Sequence, residues 1–335
     1  MELGRNFERE IREQPGVWER LAHSDVSARL AEAVDDDVVL VGSGSSLFAG
    51  QLGAIALRRR AITAHALAAT EARGDNRAYH DRIVIAVSQS GRSTDVLEAL
   101  DALRPRRIIA LTNTADSPLG ARADLTLDVG AGREVAIPAT KSVSATIAIL
   151  LSAATLLGGE RSRDAQTLID TAQTIRAWLD DSAATEHVKR AAERIAKRRD
   201  VMILGTDYGA PIAREAALKF KEATYLHAEG FDAGEFRHGS AAMVDASGVV
   251  VGIIDDDALR VVARPLREIA STGALRYAIG TTTIDDVERL GPLVTDPFNT
   301  LAWLVTVQLL ALYTARARGI DSDAPRGLTK AVVTE

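Results

Sequence analysis

The chain has 335 residues, enough for two domains of ordinary size. Hydrophobic residues make up 47% and charged residues 26%, and the formal net charge of −6 argues against a nucleic-acid partner. The sequence contains no cysteine, which excludes disulfides, cysteine-based metal sites and a thiol nucleophile.

The first half of the chain predicts alternating strands and helices. Residues 7–22 favour a helix that Pro15 interrupts. The segment 35–50 has a short β-branched run, a Gly/Ser loop and an apolar helix, and the pattern recurs at 82–100. Further strands are predicted at 106–113 and 124–130, and a long apolar helix at 141–157. Helices between strands indicate a parallel sheet with crossover helices.

The second half repeats this pattern after a charged helical segment. A strand, a Gly loop and a helix return at 200–223, followed by strands at 247–257 and 274–280. The first strands, at Val38 and Val201, lie 163 residues apart, and the second strands, at Val84 and Val250, lie 166 apart. These offsets predict a tandem duplication of one α/β unit, although unrelated doubly wound sheets also look alike.

We therefore predict an α/β protein with two tandem domains, each a parallel sheet flanked by helices in a doubly wound, flavodoxin-like arrangement. The expected parts are a first domain at 1–160, a helical connector at 161–199, a second domain at 200–320 and a tail at 321–335. An amphipathic helix is predicted at 297–317. The tail either frays or folds over a site.

We expect a soluble cytoplasmic protein with no membrane partner. The N-terminal sequence is polar and acidic and lacks the apolar stretch of a signal peptide. The longest apolar runs, such as 143–157, are too short and too rich in serine to span a bilayer.

Hydroxyl-rich loops follow the first two strands of the first half, and each precedes a helix N-terminus. Unpaired backbone N–H groups and the helix dipole favour an anion there, so the loops predict a phosphate site. The candidate phosphate-binding residues are Ser45, Ser46, Ser88, Gln89, Ser90 and Ser93. The same serines could serve only as N-caps. The matching loops of the second half carry Asp207 and Asp255–Asp257, whose carboxylates would repel phosphate.

The helix that begins near Pro211 carries Glu215, Lys219 and Glu222 at i, i+4 and i+7, and so on one face. On a surface helix this is a common salt-bridge ladder. A carboxylate beside a lysine in a cleft at the strand ends is instead a candidate acid–base group.

The segment 228–239 has three glycines, several charges and no period, and it predicts a functional loop. Its histidine, His238, is a candidate catalytic residue, whereas the other five histidines fit structural or exposed positions. No pair of histidines has the spacing of metal ligands, so we expect neither a metal nor a cofactor.

Several ordered motifs resemble the sugar isomerase (SIS) family, and within it the isomerase half of the glutamine:fructose-6-phosphate amidotransferases. They extend from Glu10 to Glu335: EIREQP (10–15), GSGSSLFAG (42–50), SQSGRSTDVLEAL (88–100), ATKS (139–142), REAALKFKEATYLHAEGFDAGEFRHG (214–239) and DAPRGLTKAVVTE (323–335). The sequence departs from the family at Arg92, where glutamate is usual.

The resemblance implies roles for the candidate residues. Glu222 matches the base that moves a proton between C1 and C2, and His238 matches a residue that assists ring opening from a neighbouring subunit. Lys330 matches the tail lysine that forms a Schiff base with an open-chain ketose. Glu215 and Lys219 match positions lining the same site. It further implies a phosphorylated sugar as substrate and a homodimer with shared active sites.

The resemblance implies a sugar-phosphate isomerase or aminosugar-phosphate deaminase that acts on a hexosamine 6-phosphate or fructose 6-phosphate. The sequence has neither a glutaminase domain nor a cysteine nucleophile, so glutamine-dependent synthesis is not expected. Two alternatives stay open: a fructosamine-6-phosphate deglycase, and a non-catalytic sugar-phosphate sensor.

Overall fold

The computed structural model describes residues 2–35, 37–74, 76–159, 161–294 and 297–330, with the backbone alone at 161–164. These residues form two compact units, which are treated separately. The N-terminal unit contains residues 16–134, 141–170 and 329–330, and the C-terminal unit contains residues 2–15, 135–140 and 171–328. Helix α1 (Arg5–Ala22) opens the chain.

The N-terminal unit is built on a five-stranded parallel sheet in the order β2-β1-β3-β4-β5. Its strands are β1 (Asp37–Gly42), β2 (Thr63–Ala68), β3 (Ile83–Val87), β4 (Arg107–Thr112) and β5 (Leu125–Asp128). Strand β2 was missed by the sequence analysis because it is an edge strand with exposed positions and has no continuous apolar run.

Helices cover this sheet, and one of them forms the centre of the packing. They are α2 (Val26–Ala33), α3 (Ser45–Arg58), α4 (Ala69–Ala72), α5 (Thr94–Leu103), α6 (Pro118–Arg122) and α7 (Lys141–Leu157). Helix α7, which the sequence predicted, is buried at every residue from Lys141 to Thr155 and packs against α2 and α3. A helix that is apolar on all sides is a core helix.

The C-terminal unit has a second five-stranded parallel sheet, in the order β10-β9-β8-β6-β7. Its strands are β6 (Asp200–Gly205), β7 (His227–Asp232), β8 (Gly248–Ile254), β9 (Leu275–Gly280) and β10 (Glu288–Leu290). Its helices are α9 (Ser182–Ile195), α10 (Gly209–Thr224), α11 (Ala233–Phe236), α12 (Leu259–Glu268) and α13 (Asn299–Ala317), and α8 (Arg161–Asp180) precedes them.

Both sheets have the doubly wound order in which the second strand lies outside the first and the third strand lies on its other side. The predicted fold class is therefore confirmed.

Equivalent glycines end the first strand of each sheet. A Cβ atom on Gly42 would lie 2.8 Å from the backbone of Ser46, and one on Gly205 would lie 2.1 Å from the carbonyl oxygen of Gly209. Glycine at these positions lets the following helix begin directly above its strand.

Helix α1 is continuous through Pro15, so the predicted interruption is wrong. Proline removes the N–H that would bond to the carbonyl four residues earlier, here Ile11. The side-chain amide of Gln14 donates to that carbonyl at 3.1 Å and so satisfies it. The lost backbone hydrogen bond is replaced, and the helix does not end.

The segment 228–239 is not a single loop. Strand β7 occupies His227–Asp232 and pairs with β6, and only then does the chain turn through the short helix α11. Gly230, which suggested a loop, lies where β7 approaches α10: a Cβ atom there would be 2.5 Å from the backbone of Ala213 and Arg214. The glycine marks a close approach of two elements.

Helix α13 is buried nearly all round, between α9, α10 and strand β9, so the predicted amphipathic character is wrong. Among the described residues it is also the one helix long and apolar enough to cross a membrane, although the sequence had led us to expect every apolar run to be too short. Because 83% of its apolar window is buried inside the protein, it has the environment of a core helix.

The tail is ordered by the first helix of the chain. The carboxylates of Asp321 and Asp323 accept hydrogen bonds from the backbone N–H groups of Gly4, Asn6 and Phe7 at 2.7–2.9 Å. These donors have no partner within the helix, and the helix dipole favours a negative charge beside them. Residues 331–335, the end of the predicted tail, lie outside the described residues.

Candidate active site

The hydroxyl-rich loops of the N-terminal unit lie side by side. Strands β1 and β3 are parallel neighbours, so the loops that follow them emerge at the same edge of the sheet. The strand order reverses between these two strands, and ligands of doubly wound sheets bind at such a switch point. Ser45 and Ser46 open α3 at this edge, and Ser93 immediately precedes α5.

Ser93 does not cap α5 with its side chain, and the N-cap position of α3 is a glycine. Gly44 is the N-cap of α3 and Ser93 is the N-cap of α5, and among the described residues neither cap position makes a side-chain hydrogen bond to its helix. The alternative that the serines act only as caps therefore has no support at Ser93, whereas the hydroxyls of Ser88 and Ser90 do accept from backbone N–H groups of their own loop. Ser45, Ser46 and Ser93 are all partly exposed, so their hydroxyls can reach a ligand.

The 88–93 loop is fixed by its neighbours. The hydroxyl of Ser88 accepts from the N–H of Gly91 at 3.2 Å, and the carbonyl of Gln89 accepts from the N–H of Asn113 at 3.1 Å. Gly91 has a positive φ of 62°, and its carbonyl accepts from Leu119 at 3.0 Å. The loop is thus held from behind by the segment after β4, as a preorganised anion site requires.

Hydrogen bonds extend from this loop to the segment 131–134. The side chain of Asn113 accepts from the N–H of Ala131 at 3.0 Å and donates to the carbonyl of Gly132 at 2.7 Å. Asn113 therefore fixes both the 88–93 loop and the backbone of residues 131–132, which leads to Glu134.

Glu134 is a further candidate site residue, which the sequence motifs did not single out. Its side chain is fully buried, and Lys330 Nζ lies 2.9 Å from its Oε2. Ser142, in the first turn of α7, donates its N–H at 3.1 Å and its hydroxyl at 2.7 Å to the same carboxylate. The available signal was weak: Glu134 directly precedes the uncharged stretch VAIPAT (135–140), and a glutamate that is buried beside such a stretch needs a partner.

Helix α10 of the C-terminal unit carries the predicted charged face, and this face is not a surface ladder. Lys219 is fully buried, and its Nζ lies 2.5 Å from the carboxylate of Glu222 and 3.4 Å from that of Glu215. The side chain of Glu215 is 1% exposed and that of Glu222 is 18% exposed. Glu222 is therefore the one carboxylate of the three-residue group that solvent or a ligand can reach.

His238 lies on an exposed turn after α11 in the same unit. Its N–H donates to the carbonyl of Glu235 at 2.9 Å. The neighbouring Arg237 makes two hydrogen bonds to Glu268 of α12, at 2.8 and 3.0 Å. Arg237, with Arg264 behind it, holds the pKa of the Glu268 carboxyl below its usual range. This ion pair fixes the turn while leaving the imidazole accessible.

The candidates thus form two groups. The N-terminal unit holds Lys330 and all the candidate phosphate-binding residues, whereas the C-terminal unit holds Glu215, Lys219, Glu222 and His238. Within the part of the chain that the structure describes, no cluster of three or more His, Asp or Glu side chains suits a metal ion.

Comparison with known proteins gives the same family twice along the chain. The SIS domain model matches residues 33–156 and 194–293. The glutamine–fructose-6-phosphate aminotransferase of Pyrobaculum aerophilum is 31% identical over 96% of this chain and 54% of its own length. The chain spans about half the length of the curated relatives that it matches.

Solved structures agree with this result. The glucosamine-6-phosphate deaminase of Thermotoga maritima superposes with a TM-score of 0.79 at 25% identity, over 98% of this chain and 100% of the other. The C-terminal domain of a Francisella tularensis glucosamine-fructose-6-phosphate aminotransferase has a TM-score of 0.83 at 22% identity, over 95% and 98%, which is a likeness of fold. The resemblance inferred from the motifs is confirmed, and the chain belongs to the SIS domain family.

Proposed function

We propose that this protein is a sugar-phosphate isomerase and aminosugar-phosphate deaminase. Its substrate would be a hexosamine 6-phosphate or fructose 6-phosphate in the open-chain form. The relatives support a phosphorylated sugar as ligand, since their names are those of fructose-6-phosphate aminotransferases and a glucosamine-6-phosphate deaminase. The buried group on α10, in which Glu222 alone is accessible, is the observation that carries the catalytic part of the proposal.

The phosphate would bind at the hydroxyl-lined edge of the first sheet. Two helix N-termini and the hydroxyls of Ser46, Ser88 and Ser93 supply donors there. The second sheet has aspartates after its equivalent strands, and these disfavour an anion.

Glu222 would act as the base that moves the proton. In open-chain glucosamine 6-phosphate it removes the proton from C2, next to the C1 aldehyde, and returns a proton to C1. The product is the 2-imino form of fructose 6-phosphate. Lys219 holds the Glu222 carboxylate in one orientation, and Glu215 balances the buried lysine charge.

Lys330 would release the amine. Its neutral Nζ adds to C2 of the imine, ammonia leaves, and the lysine imine is hydrolysed to fructose 6-phosphate and free lysine. The Glu134 carboxylate, 2.9 Å away, is placed to accept the ammonium proton that must leave before the attack. His238 would assist ring opening from a second copy of the chain in a homodimer, and we place the reaction in the cytoplasm.

The proposal is tested by incubating the full chain with hexosamine and fructosamine 6-phosphates and assaying ammonia, ketose phosphate and free amino acid. We expect ammonia and fructose 6-phosphate from glucosamine 6-phosphate. Replacing Glu222→Gln should lower the rate by about 10²–10⁴-fold, because a general base contributes that much. Glu229→Gln, on an exposed position of β7, is the matched control.

The same assay separates the alternatives. Release of an amino acid from a fructosamine 6-phosphate without ammonia release would identify a deglycase. Binding of sugar phosphates with no turnover, or turnover that Glu222→Gln leaves unchanged, would contradict the proposed catalytic role and favour a sensor.

A further inference from the structure

We infer that Glu10 and Lys141 are positioning residues that orient the Glu134 carboxylate toward Lys330. This inference rests on the proposed function of Lys330. Glu10 and Lys141 are both buried and charged, and neither has a direct part in the proposed reaction. Each is bonded to one of the two peptide groups that flank Glu134.

Glu10 fixes the peptide group on the C-terminal side of Glu134. Its Oε1 accepts from the N–H of Val135 at 2.6 Å, and its Oε2 accepts from the N–H of Ala136 at 3.2 Å. The Glu10 side chain is fully buried, and Arg9 is its ionic neighbour at 3.5 Å. The N–H of Val135 belongs to the peptide unit that joins it to Glu134, so holding it fixes ψ of Glu134.

Lys141 fixes the peptide group on the other side. Its Nζ donates to the carbonyl oxygen of Arg133 at 2.8 Å, and the residue is 4% exposed. That carbonyl belongs to the peptide unit between Arg133 and Glu134, so holding it fixes φ of Glu134. Both bonds involve a charged group and are stronger than neutral ones.

The two contacts together define where the Glu134 side chain can go. With both flanking peptide planes held, Cβ of Glu134 has one direction, and Ser142 then holds the carboxylate from the α7 side. Lys330 completes the arrangement from the tail. Loss of either contact frees one dihedral of Glu134 without removing any group that touches the substrate.

The test is a covalent trap of the lysine imine in the full chain. Lys330 Nζ condenses with the C2 carbonyl of fructose 6-phosphate and releases water. Borohydride then delivers hydride to C2, and a proton from water gives a stable secondary amine on Lys330 that mass spectrometry detects. Glu10→Gln and Lys141→Met keep side-chain length and remove the charge. Asp181→Asn is the matched control, because Asp181 also accepts from two backbone N–H groups, at the start of α9.

We expect both variants to slow trapping by on the order of 10- to 100-fold, since a misplacement near 1 Å costs this much. Binding of inorganic phosphate and hydrogen–deuterium exchange at C2 of glucosamine 6-phosphate, which need no lysine imine, should stay within about twofold of wild type. Asp181→Asn should leave all three measurements unchanged.

Other outcomes have separate meanings. Trapping in both variants at the wild-type rate would overturn the inference and leave the proposed function intact. Equal losses of trapping, phosphate binding and proton exchange would make the residues generally structural and would also overturn it. If Glu10→Gln does not fold, the trapping rate of Lys141→Met decides whether the inference holds. If neither variant folds, both residues are needed for folding and the inference is overturned. Absence of any adduct in the wild-type protein would refute the role of Lys330 itself.

Discussion

At the scale of single residues, the candidate site depends on positions where only one residue type fits. Gly91 combines a positive φ of 62° with no room for a side chain, because a Cβ atom would lie 2.1 Å from Ser117 Oγ. Its carbonyl and that of Gln89 are both bonded to the segment after β4. The 88–93 loop therefore keeps its shape only with glycine at this position.

Replacing Gly91→Ala should lower the free energy of unfolding by about 2–5 kcal/mol, the sum of the backbone strain and the steric overlap. It should also weaken binding of inorganic phosphate. Gly159→Ala is the control, since Gly159 has a φ of 84° and open space around its Cβ position. That variant should lose roughly 1–2 kcal/mol and bind phosphate normally. Urea denaturation and calorimetric titration measure both quantities, and equal effects of the two variants would contradict this account.

At the scale of elements, α1 shows how a helix survives an internal proline. The Gln14 amide donates to the Ile11 carbonyl at 3.1 Å and to the Gln308 side chain of α13 at 2.7 Å. Both glutamines are fully buried. One side chain therefore repairs α1 and joins it to the core helix of the C-terminal unit.

Replacing Gln14→Leu should cost about 2–3 kcal/mol of unfolding free energy, because it leaves two buried acceptors without a donor. Adding Gln308→Leu should recover part of this loss by removing one of those acceptors. Gln166→Leu, at an exposed position of α8, should change stability by less than about 0.5 kcal/mol. Thermal and urea unfolding test the series. A double variant less stable than the single one would show that the two amides are not coupled in this way.

At the scale of the whole molecule, two sheets of the same strand order carry different chemistry at their carboxyl edges. In the N-terminal unit the switch-point loops present serine hydroxyls. In the C-terminal unit the equivalent loops present Asp207 and Asp255–Asp257, and two of these carboxylates are bonded locally, to Ala258 and Thr282. Charge therefore distinguishes two edges that the fold makes alike.

We expect inorganic phosphate to bind only at the first of these edges. In a nitrogen-15 NMR titration of the full chain, the amide signals of residues 43–46 and 88–93 should shift, and those of residues 206–208 and 255–257 should not. Ser88→Ala combined with Ser93→Ala should weaken binding by about tenfold or more, since two donors to a charged group are lost. Asp256→Asn should leave the affinity unchanged. Shifts confined to the second edge would reverse the assignment.

The sequence by itself determined the elements with strong local signals. Apolar β-branched runs gave the buried strands β1, β3, β6 and β8, and their glycine-containing loops placed the helices that follow. The i, i+4, i+7 spacing put Glu215, Lys219 and Glu222 on one face of α10, and the ordered motifs identified the family. The elements follow from local patterns, within windows of roughly 11–18 residues. The family follows from the order of motifs along the whole sequence.

Only the tertiary structure decided the features that depend on distant partners. The edge strands β2 and β10 have weak local patterns and form because a neighbouring strand offers its backbone. The sequence left open whether Glu215, Lys219 and Glu222 form a surface salt-bridge ladder or lie in a cleft. In the structure, packing around α10 makes them a largely buried ion group. Glu134 meets Lys330 across 196 residues of sequence, and Pro15 is tolerated because Gln14 replaces its missing donor. Local sequence sets what a segment can form, and burial and distant partners then decide which charges meet.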